Sequence, residues 1–499
     1  MIKLDLQTSW AGSLVPIRVY AREAISDCYE LTLDVLSSEA SLPLADALQH
    51  PATVTIALGE QQRCVPGVVT EMALMGSLPG EQFWYRLILV PRLRLLELTR
   101  RSRVFCTEKP STVGQLLQQA IASAEGITIP STDVRLNLQT SSYPMLDMAV
   151  QYAETDLAFL SRRAENAGIS YYFETGDGTD RLVFCDANVC FPMLGGDTDS
   201  SSLPYRPSVG VADPGPAVRS VELLARLTPQ TAQLNTRDWT SPDRLLLVRS
   251  DPQPNGLGLQ EWEEEDGYTD AGWGATLARV RAESLAAGRS VLRGRTDCLA
   301  LQAGYVFTLK GHDAEHMNGR YLVTSVTHDA WESVAGVEFL PHRTPQGAGY
   351  GNSFTAIPLS VPFRPPLRTP WPRIDGVLRA VVDGVGQARA EVDELGCYRI
   401  ILPFDRTTRP PGKSSNQIRL ITPYGGSGAG FHFPLRPGTQ VMVAFVKGNP
   451  DWPVIVGPLY DAAQASVVTH ENRYANVITT ASGITMKFYD GPPPPGSEP

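Results

Sequence analysis

The sequence predicts a mainly β protein with a few helices, and three observations support this fold class. Ile2, Leu4 and Leu6 alternate with polar residues, the period of two that places one face of a strand on a core. Residues 374–460 contain five short strand-like stretches, the number and size expected of a small Greek-key barrel such as an OB-fold. A proline-rich stretch at 346–373 separates this barrel from the preceding residues, and its composition predicts a stiff, extended linker.

The composition excludes several classes of protein. The chain has 499 residues, 42% of them hydrophobic and 19% charged, which is ordinary for a globular protein of about two to four domains. The formal net charge of −10 argues against nucleic acid as a partner, because nucleic-acid-binding proteins present a basic surface. Seven cysteines, an odd number scattered along the chain, do not suggest a disulfide framework.

The N-terminus, MIKLDLQTSW, lacks the apolar core of a secretory signal. No run of about 18 apolar residues occurs in the sequence, so no membrane-spanning helix is expected. We therefore expect a protein that is made in the cytoplasm without a signal peptide.

Three helices and a strong strand are predicted before the linker. Apolar residues at 113–124 recur three and four positions apart, which defines the buried face of an amphipathic helix. A second helix is predicted at 156–167, where Gly168 can end it in a left-handed conformation. A third spans about 274–287, and the run at 321–326 is rich in strand-forming residues.

The segment 151–174 reads QYAETDLAFLSRRAENAGISYYFE. With the preceding valine it resembles the VgrG and phage-tail hub family, whose signature is an Arg-x-Phe element followed downstream by VQYxETDxxFxxRxxExxGIxYYFE. Arg103 and Phe105 stand where the Arg-x-Phe element is expected. Its charged residues are interpreted as hub packing and subunit contacts: Glu154, Asp156, Arg162, Arg163 and Glu165.

Three further stretches carry the same resemblance. Residues 237–242 resemble the family's RDYxFxxP segment, and residues 319–328 resemble its NGxYLVTxxxH run. In the barrel, residues 435–453 resemble the block PRxGxEVxVxFxxGDPDxP. The mild departures from that block are Leu435 for proline, Gln440 for glutamate and Asn449 for aspartate. The resemblance thus covers nearly the whole chain.

The resemblance implies a structural spike protein of a contractile injection system, with no enzymatic activity and no cofactor. It implies a homotrimer in which residues 1–345 form a hub of β-barrels and 374–460 form the OB-fold barrel. Residues 461–490 would form a short intertwined β-prism, followed by a proline-rich tail at 491–499. The implied partners are the inner tube protein, the baseplate proteins and a PAAR-type tip protein, and the target membrane is met only mechanically.

The C-terminal stretch supplies a physical reason for three copies. Residues 466–489 are β-prone but too few for an independent sheet, because a lone strand pair is marginally stable in water. Three copies wound together would pair their edges and bury apolar side chains. The expected trimer or tip contacts are Val477, Ile484, Met486, Phe488 and Tyr489. A prism this short is similar to the spike of anti-feeding-prophage-type particles, so an extracellular or released particle is expected.

Two other motifs suggest metal chemistry. Residues 312–316 read HDAEH, the H-x-x-E-H pattern of a class of zinc peptidases, so a hydrolase on the same scaffold would use His312, Glu315 and His316. Turn-forming residues flank the motif on both sides, which favours a loop instead. Cys185 and Cys190 have no second pair nearby and make a poor zinc signal, so buried structural thiols are the alternative.

Overall fold

The computed structural model describes residues 2–10, 14–176, 178–196, 200–207, 215–263, 268–333, 348–386 and 389–491. Strands far outnumber helices in these ranges, which confirms the predicted fold class. The chain divides into two compact units. The first unit contains Met1–Arg100, Thr112–Pro144 and Thr155–Pro370. The second, which we call the barrel unit, contains Arg101–Ser111, Met145–Glu154 and Trp371–Pro499.

One large sheet dominates the first unit. Across the described ranges it has twelve strands, antiparallel except where Ser202–Pro204 pairs with Val306–Lys310. The other ten follow one another in space as Ile2–Thr8, Pro51–Leu58, Gln61–Leu78, Gln82–Val90, Glu30–Ser37, Val15–Ala24, Gly319–Trp331, Gly349–Pro358, Ser290–Thr296 and Val218–Ala225.

The strand Gly319–Trp331 joins sequence-distant parts of this sheet. It pairs with Val15–Ala24, with Val306–Lys310 and with Gly349–Pro358, and its bounds confirm the strand predicted at 321–326. Gly349–Pro358 lies inside the range predicted as a linker. Its apolar residues Phe354, Ala356 and Ile357 are buried in the core, so the proline-rich stretch without a strand begins only after it.

Two three-stranded sheets and four α-helices complete the regular structure described in the first unit. The sheets consist of Ser170–Glu174, Arg181–Cys185 and Val134–Asn137, and of Leu245–Arg249, Thr231–Arg237 and Leu259–Glu263. The helices are Leu44–Ala47, Val113–Ala122, Asp156–Ala167 and Ala271–Ala287.

The three predicted helices are confirmed. The last of them begins earlier than expected, at Ala271, because the Asp270 side chain caps it by accepting the Trp273 N–H at 2.7 Å. No helix in the described ranges is both long enough and apolar enough to span a membrane.

Five segments of the barrel unit pair in a closed cycle. In pairing order they are Arg399–Ile401, Leu378–Asp383, Gln440–Phe445, Pro453–Pro458 and 418–420. Ile418 closes the cycle by bridging to Tyr398, and Leu420 bridges in parallel to Ile455. Because the sheet returns on itself, the two faces become an inside and an outside, and the inside is the apolar core of the barrel.

Two strand pairs lie outside this cycle. Arg100–Ser111 pairs with Leu146–Thr155, and Ala475–Thr479 pairs with Thr485–Tyr489 in a C-terminal hairpin. Gly425–Gly426 and Ala429–Gly430 form a further, very short hairpin in the glycine-rich loop of the barrel unit.

Candidate functional site

The helix of the signature segment has both of its ends fixed by residues of the same motif. Thr155 caps Asp156–Ala167 by accepting the Ala158 N–H at 3.1 Å. Gly168 ends the helix with a φ of 71°. A Cβ at Gly168 would lie 2.5 Å from Cγ1 of Val280. Glycine is therefore required here both by the backbone conformation and by the packing.

The charged residues of the signature are buried, each at most 9% exposed: Glu154, Asp156, Arg162, Arg163 and Glu165. The guanidinium groups of Arg162 and Arg163 lie 5.0 and 5.3 Å from the ring centroid of Phe159. Their interpretation as packing residues is confirmed. Buried side chains offer no surface to another subunit, so subunit contacts through them are not supported.

Glu165 holds the stretch that follows the large sheet, residues 359–370, which we call the connector. Its Oε2 accepts the N–H groups of Arg368 and Thr369, both at 2.9 Å. Its Oε1 accepts the Thr369 hydroxyl at 2.8 Å. Three donors to one ionised carboxylate make strong, charge-assisted hydrogen bonds that fix the end of the connector.

Arg364 fixes the middle of the connector from the interior of the first unit. It is 7% exposed, and its Nε lies 2.7 Å from Oε2 of Glu283. The same guanidinium donates to the carbonyl oxygen of Gly168 at 3.2 Å and to that of Asp186. A buried cation is stable only when it is paired and hydrogen-bonded, and Arg364 meets both conditions.

Asn188 holds the beginning of the connector as a second strand would. Its Nδ2 donates to the carbonyl oxygens of Leu359 at 2.9 Å and of Val361 at 2.7 Å. Its Oδ1 accepts the Phe363 N–H at 2.8 Å. The connector begins with a turn at 359–360 and continues without regular secondary structure, and these contacts fasten it along its length.

The upstream part of the signature belongs to the barrel unit. The guanidinium of Arg103 lies 4.5 Å from the ring centroid of Phe105, and its Nε donates to Oε1 of Gln151 at 2.7 Å. Val150 is fully buried, and its N–H donates to Oδ1 of Asp451 at 2.6 Å. Two family motifs that are 301 residues apart in sequence therefore meet.

The strands that carry these residues add to the core of the barrel. Val104, Met148 and Val150 pack in the same buried cluster as Val441 and Val443. Sequence reasoning placed residues 1–345 in the hub and missed this association. The apolar pattern of a strand indicates which face is buried, but it does not indicate which sheet covers that face.

The chain passes between the two units five times, at 100/101, 111/112, 144/145, 154/155 and 370/371. The fourth passage divides the signature segment, and the fifth follows directly on the connector. The signature segment therefore contributes its first residues to the barrel unit and the rest to the first unit.

Asn449 replaces the aspartate expected in the barrel block. Its Oδ1 accepts the Nε1–H of Trp371 at 2.9 Å and the N–H of Asp451 at 3.1 Å. A carboxylate oxygen would accept the same two hydrogen bonds, which supports the interpretation that the departure is mild.

Comparison with known families covers both units. The model of the phage tail baseplate hub (GPD) matches residues 22–334, more than half of the chain, and that of the type VI secretion system/phage-baseplate injector OB domain matches residues 388–460. The type VI secretion system spike protein VgrG5 of Pseudomonas aeruginosa is 30% identical over 449 residues, which are 88% of this chain and 55% of that protein. The chain belongs to the VgrG and phage-tail hub-spike family.

Another member of the VgrG family shows how much such chains vary in length. The actin cross-linking toxin VgrG1 of Vibrio cholerae is 28% identical over 424 residues, which are 83% of this chain and 37% of the toxin. The present chain spans about half the length of the curated VgrG relatives that it matches first.

Solved structures of hub-spike proteins share the fold. The E. coli c3393 protein, a type VI secretion component described as similar to the T4 tail proteins gp27 and gp5, superimposes with a TM-score of 0.65 at 22% identity, covering 91% of this chain and 100% of that one. The lidded PdpA–VgrG complex of Francisella gives a TM-score of 0.60 at 8% identity, covering 98% and 75%.

The zinc-peptidase pattern of this VgrG-family chain does not form an α-helix. Glu315–Met317 is a single 3-10 turn. Nδ1 of His312 accepts the Ala314 N–H at 3.1 Å, and the His312 ring lies 4.4 Å from the ring of Tyr205. In such peptidases both histidines lie on one face of an α-helix, an arrangement that the turn does not give to His312 and His316. No group of three metal-binding side chains occurs within the described ranges.

The C-terminal hairpin of this hub-spike chain places the predicted contact residues on two faces. Cross-strand pairing puts Ile478 opposite Met486 and Asn476 opposite Phe488, and side chains that are directly opposed share a face. Ile484, Met486 and Phe488 are 71%, 55% and 57% exposed on this face. Val477 and Tyr489 lie on the other face, so the structure groups Ile478, and not Val477, with the exposed set.

Proposed function

We propose that this chain is the structural hub and spike subunit of a contractile injection system and that it works as a homotrimer. The first unit would contact the inner tube protein and the baseplate proteins. The barrel unit would follow, and three C-terminal hairpins would wind into a short prism that carries a PAAR-type tip protein. The chain would act by transmitting force to a target membrane, without catalysis and without a cofactor, as part of a particle that leaves the cell.

The observation that carries this proposal is the exposed apolar face of the hairpin, formed by Ile478, Ile484, Met486 and Phe488. A two-stranded hairpin with such a face is marginal alone in water. Burying each of these side chains against another copy would contribute about 1.5 to 3 kcal/mol. Three identical faces turned inward would supply that cover, which supports a closed trimer.

The connector supports a role in force transmission. A pull applied at its end would meet the Glu165 hydrogen bonds first, the buried Arg364 next and the Asn188 hydrogen bonds last, before it reached the large sheet. Buried, charge-assisted contacts are suited to this task because water cannot compete for them.

Native mass spectrometry of the full chain tests the proposal. We expect the mass of a trimer for the wild type and of a monomer for the triple variant Ile484→Ser, Met486→Ser, Phe488→Ser. A matched control replaces three apolar residues of the first unit that are 68–78% exposed, Leu98, Leu227 and Leu257, by serine, and it should remain trimeric. A monomeric wild type at micromolar concentration, or a trimer that survives the hairpin variant, would contradict the proposal.

A further inference from the structure

Residues 185–190 (CDANVC) form a short loop that fastens the connector. The carbonyl oxygen of Asp186 accepts from Arg364, and the Asn188 side chain makes three hydrogen bonds to the backbone of residues 359–363. These four hydrogen bonds all involve Asp186 or Asn188, which lie between the two cysteines. Neither cysteine is in a disulfide.

The two thiols that bound the loop are both buried and lie beside the same neighbouring strand, Val134–Asn137. Cys185 ends the strand Arg181–Cys185, and Cys190 ends the 3-10 turn Asn188–Cys190, which brings the chain back. Cys185 is fully buried and Cys190 is 6% exposed, and both belong to one apolar cluster. The Cys190 thiol donates to the carbonyl oxygen of Asn137 at 3.1 Å, and Asn137 is the residue that pairs with Cys185 in the neighbouring strand.

We propose that Cys185 and Cys190 are an oxidation site that closes into a disulfide and locks the loop onto the connector. The oxidant would be a low-molecular-weight disulfide. The Cys190 thiolate attacks one of its sulfurs and expels one thiolate, which leaves a mixed disulfide on Cys190. Cys185 then loses its proton, attacks the Cys190 sulfur and expels the second thiolate. Two protein thiols are oxidised and one small disulfide is reduced to two thiols.

The surroundings of the two sulfurs favour this order of events. The neighbouring Cys185 lowers the pKa of Cys190 below the ordinary value of a thiol, so Cys190 is the sulfur that forms the first thiolate. By contrast, burial raises the pKa of Cys298 and of Cys397 to about 11, and it raises that of Cys28 further. Oxidation of the pair should therefore precede oxidation of these three thiols. It should also be slow, because the buried sulfurs need a transient opening before the oxidant reaches them.

The disulfide would act on the connector by restricting the conformations of the loop. A disulfide between the ends of the loop removes the extended conformations in which Asn188 and the Asp186 carbonyl lose the connector. The chemistry does not depend on the proposed function. Only its timing does, since a particle that leaves the reducing cytoplasm enters surroundings where disulfides persist.

Peptide mapping tests the bond itself. The full chain is incubated with oxidised glutathione, denatured, alkylated and digested. We expect Cys185 and Cys190 to appear in one internally linked peptide that has lost two hydrogens. Cys298→Ser, a buried thiol elsewhere in the first unit, is the matched control and should give the same linked peptide. Full alkylation of both cysteines, separate glutathione adducts on them, or a link to another cysteine would overturn the proposal.

Hydrogen exchange tests the lock. We expect peptides that cover residues 359–364 to exchange about tenfold more slowly in oxidised than in reduced wild type. Cys185→Ser, which keeps the loop but cannot close it, should show no such difference. Asn188→Ala should form the disulfide without the slowing, because its link to the connector is removed. A disulfide that forms in the wild type and leaves the exchange of the connector unchanged would overturn the lock.

Discussion

The connector and the C-terminal hairpin invert the usual relation between polarity and burial. The connector, residues 359–370, is fixed by the buried charged groups of Arg364, Glu283 and Glu165. The hairpin, residues 475–489, leaves Ile484, Met486 and Phe488 more than half exposed. The buried charged groups that hold the connector have partners within their own unit. The exposed apolar side chains of the hairpin are left uncovered by the described residues of theirs.

The difference separates what one chain completes by itself from what it needs further copies to complete. A buried ion pair that is fully hydrogen-bonded gains nothing from another subunit. An exposed apolar face is stabilised when a complementary surface buries it. Substitutions in the connector should therefore weaken the single chain, and substitutions in the hairpin should weaken only the assembly.

Arg364→Ala should have the largest effect on the first unit. It leaves the buried carboxylate of Glu283 without its interior partner and removes the hydrogen bonds to Gly168 and Asp186. We expect a loss of about 3–5 kcal/mol in the free energy of unfolding, measured by urea titration with hydrogen exchange of first-unit peptides as the readout.

Arg279→Ala is the matched control for that variant. Arg279 pairs with the same carboxylate at 3.0 Å, but its side chain is 52% exposed. An exposed pair four residues apart on a helix contributes only about 0.3–0.5 kcal/mol. Equal losses for the two arginines would remove the distinction between a buried connector and an ordinary surface.

Gly168→Ala should have the next largest effect. The new methyl group would meet Val280 at 2.5 Å on a backbone with φ of 71°. We expect a loss of about 2–4 kcal/mol, from left-handed strain and overpacking together. Gly126→Ala has a similar φ of 73° and open space around the methyl position, so strain alone should cost about 1–2 kcal/mol. The same loss at both sites would show that the contact with Val280 does not matter.

Acid should weaken the first unit through His328 and leave the hairpin unaffected. His328 is buried between Arg63, 2.7 Å from its Nε2, and the Tyr350 hydroxyl, 2.7 Å from its Nδ1, with Glu23 3.6 Å away. Burial, and then the charge of Arg63, hold its pKa well below the ordinary value. Below about pH 6.5, His328 is protonated in the unfolded chain but stays neutral in the folded chain.

This difference in proton binding makes the free energy of unfolding decrease as the pH falls. The contribution of His328 is complete above about pH 6.5 and falls by up to about 1.4 kcal/mol for each pH unit below it. Urea midpoints of the wild type at pH 7.5 and 5.5, beside those of His328→Gln, measure the effect. An identical decline in both proteins would assign the acid sensitivity to other groups.

The best predictions came from local features of the sequence. The helix Asp156–Ala167 has its cap, its apolar face and its terminating glycine within a few residues of one another, so the pattern specifies it completely. The strand Gly349–Pro358 was hidden by neighbouring prolines. The hydrogen bond from Val150 to Asp451 was not predictable, because nothing in either motif identifies a partner 301 residues away.

The hairpin shows a subtler limit. Its strands and its apolar residues were predicted, but the face of each residue depends on the pairing register. That register is set by the turn in which Thr480 N–H donates to the Ile484 carbonyl. Register places Ile478 with Met486 and moves Val477 to the opposite face, because successive side chains in a strand alternate.

Hydrogen exchange of the hairpin in the full wild-type protein tests most directly the claim that further copies complete it. With the connector as the internal reference, residues 475–489 should be strongly protected under native conditions, although one chain leaves them exposed. The triple serine variant should lose this protection while its connector keeps it. Rapid exchange of the wild-type hairpin, as fast as in the variant, would contradict the claim.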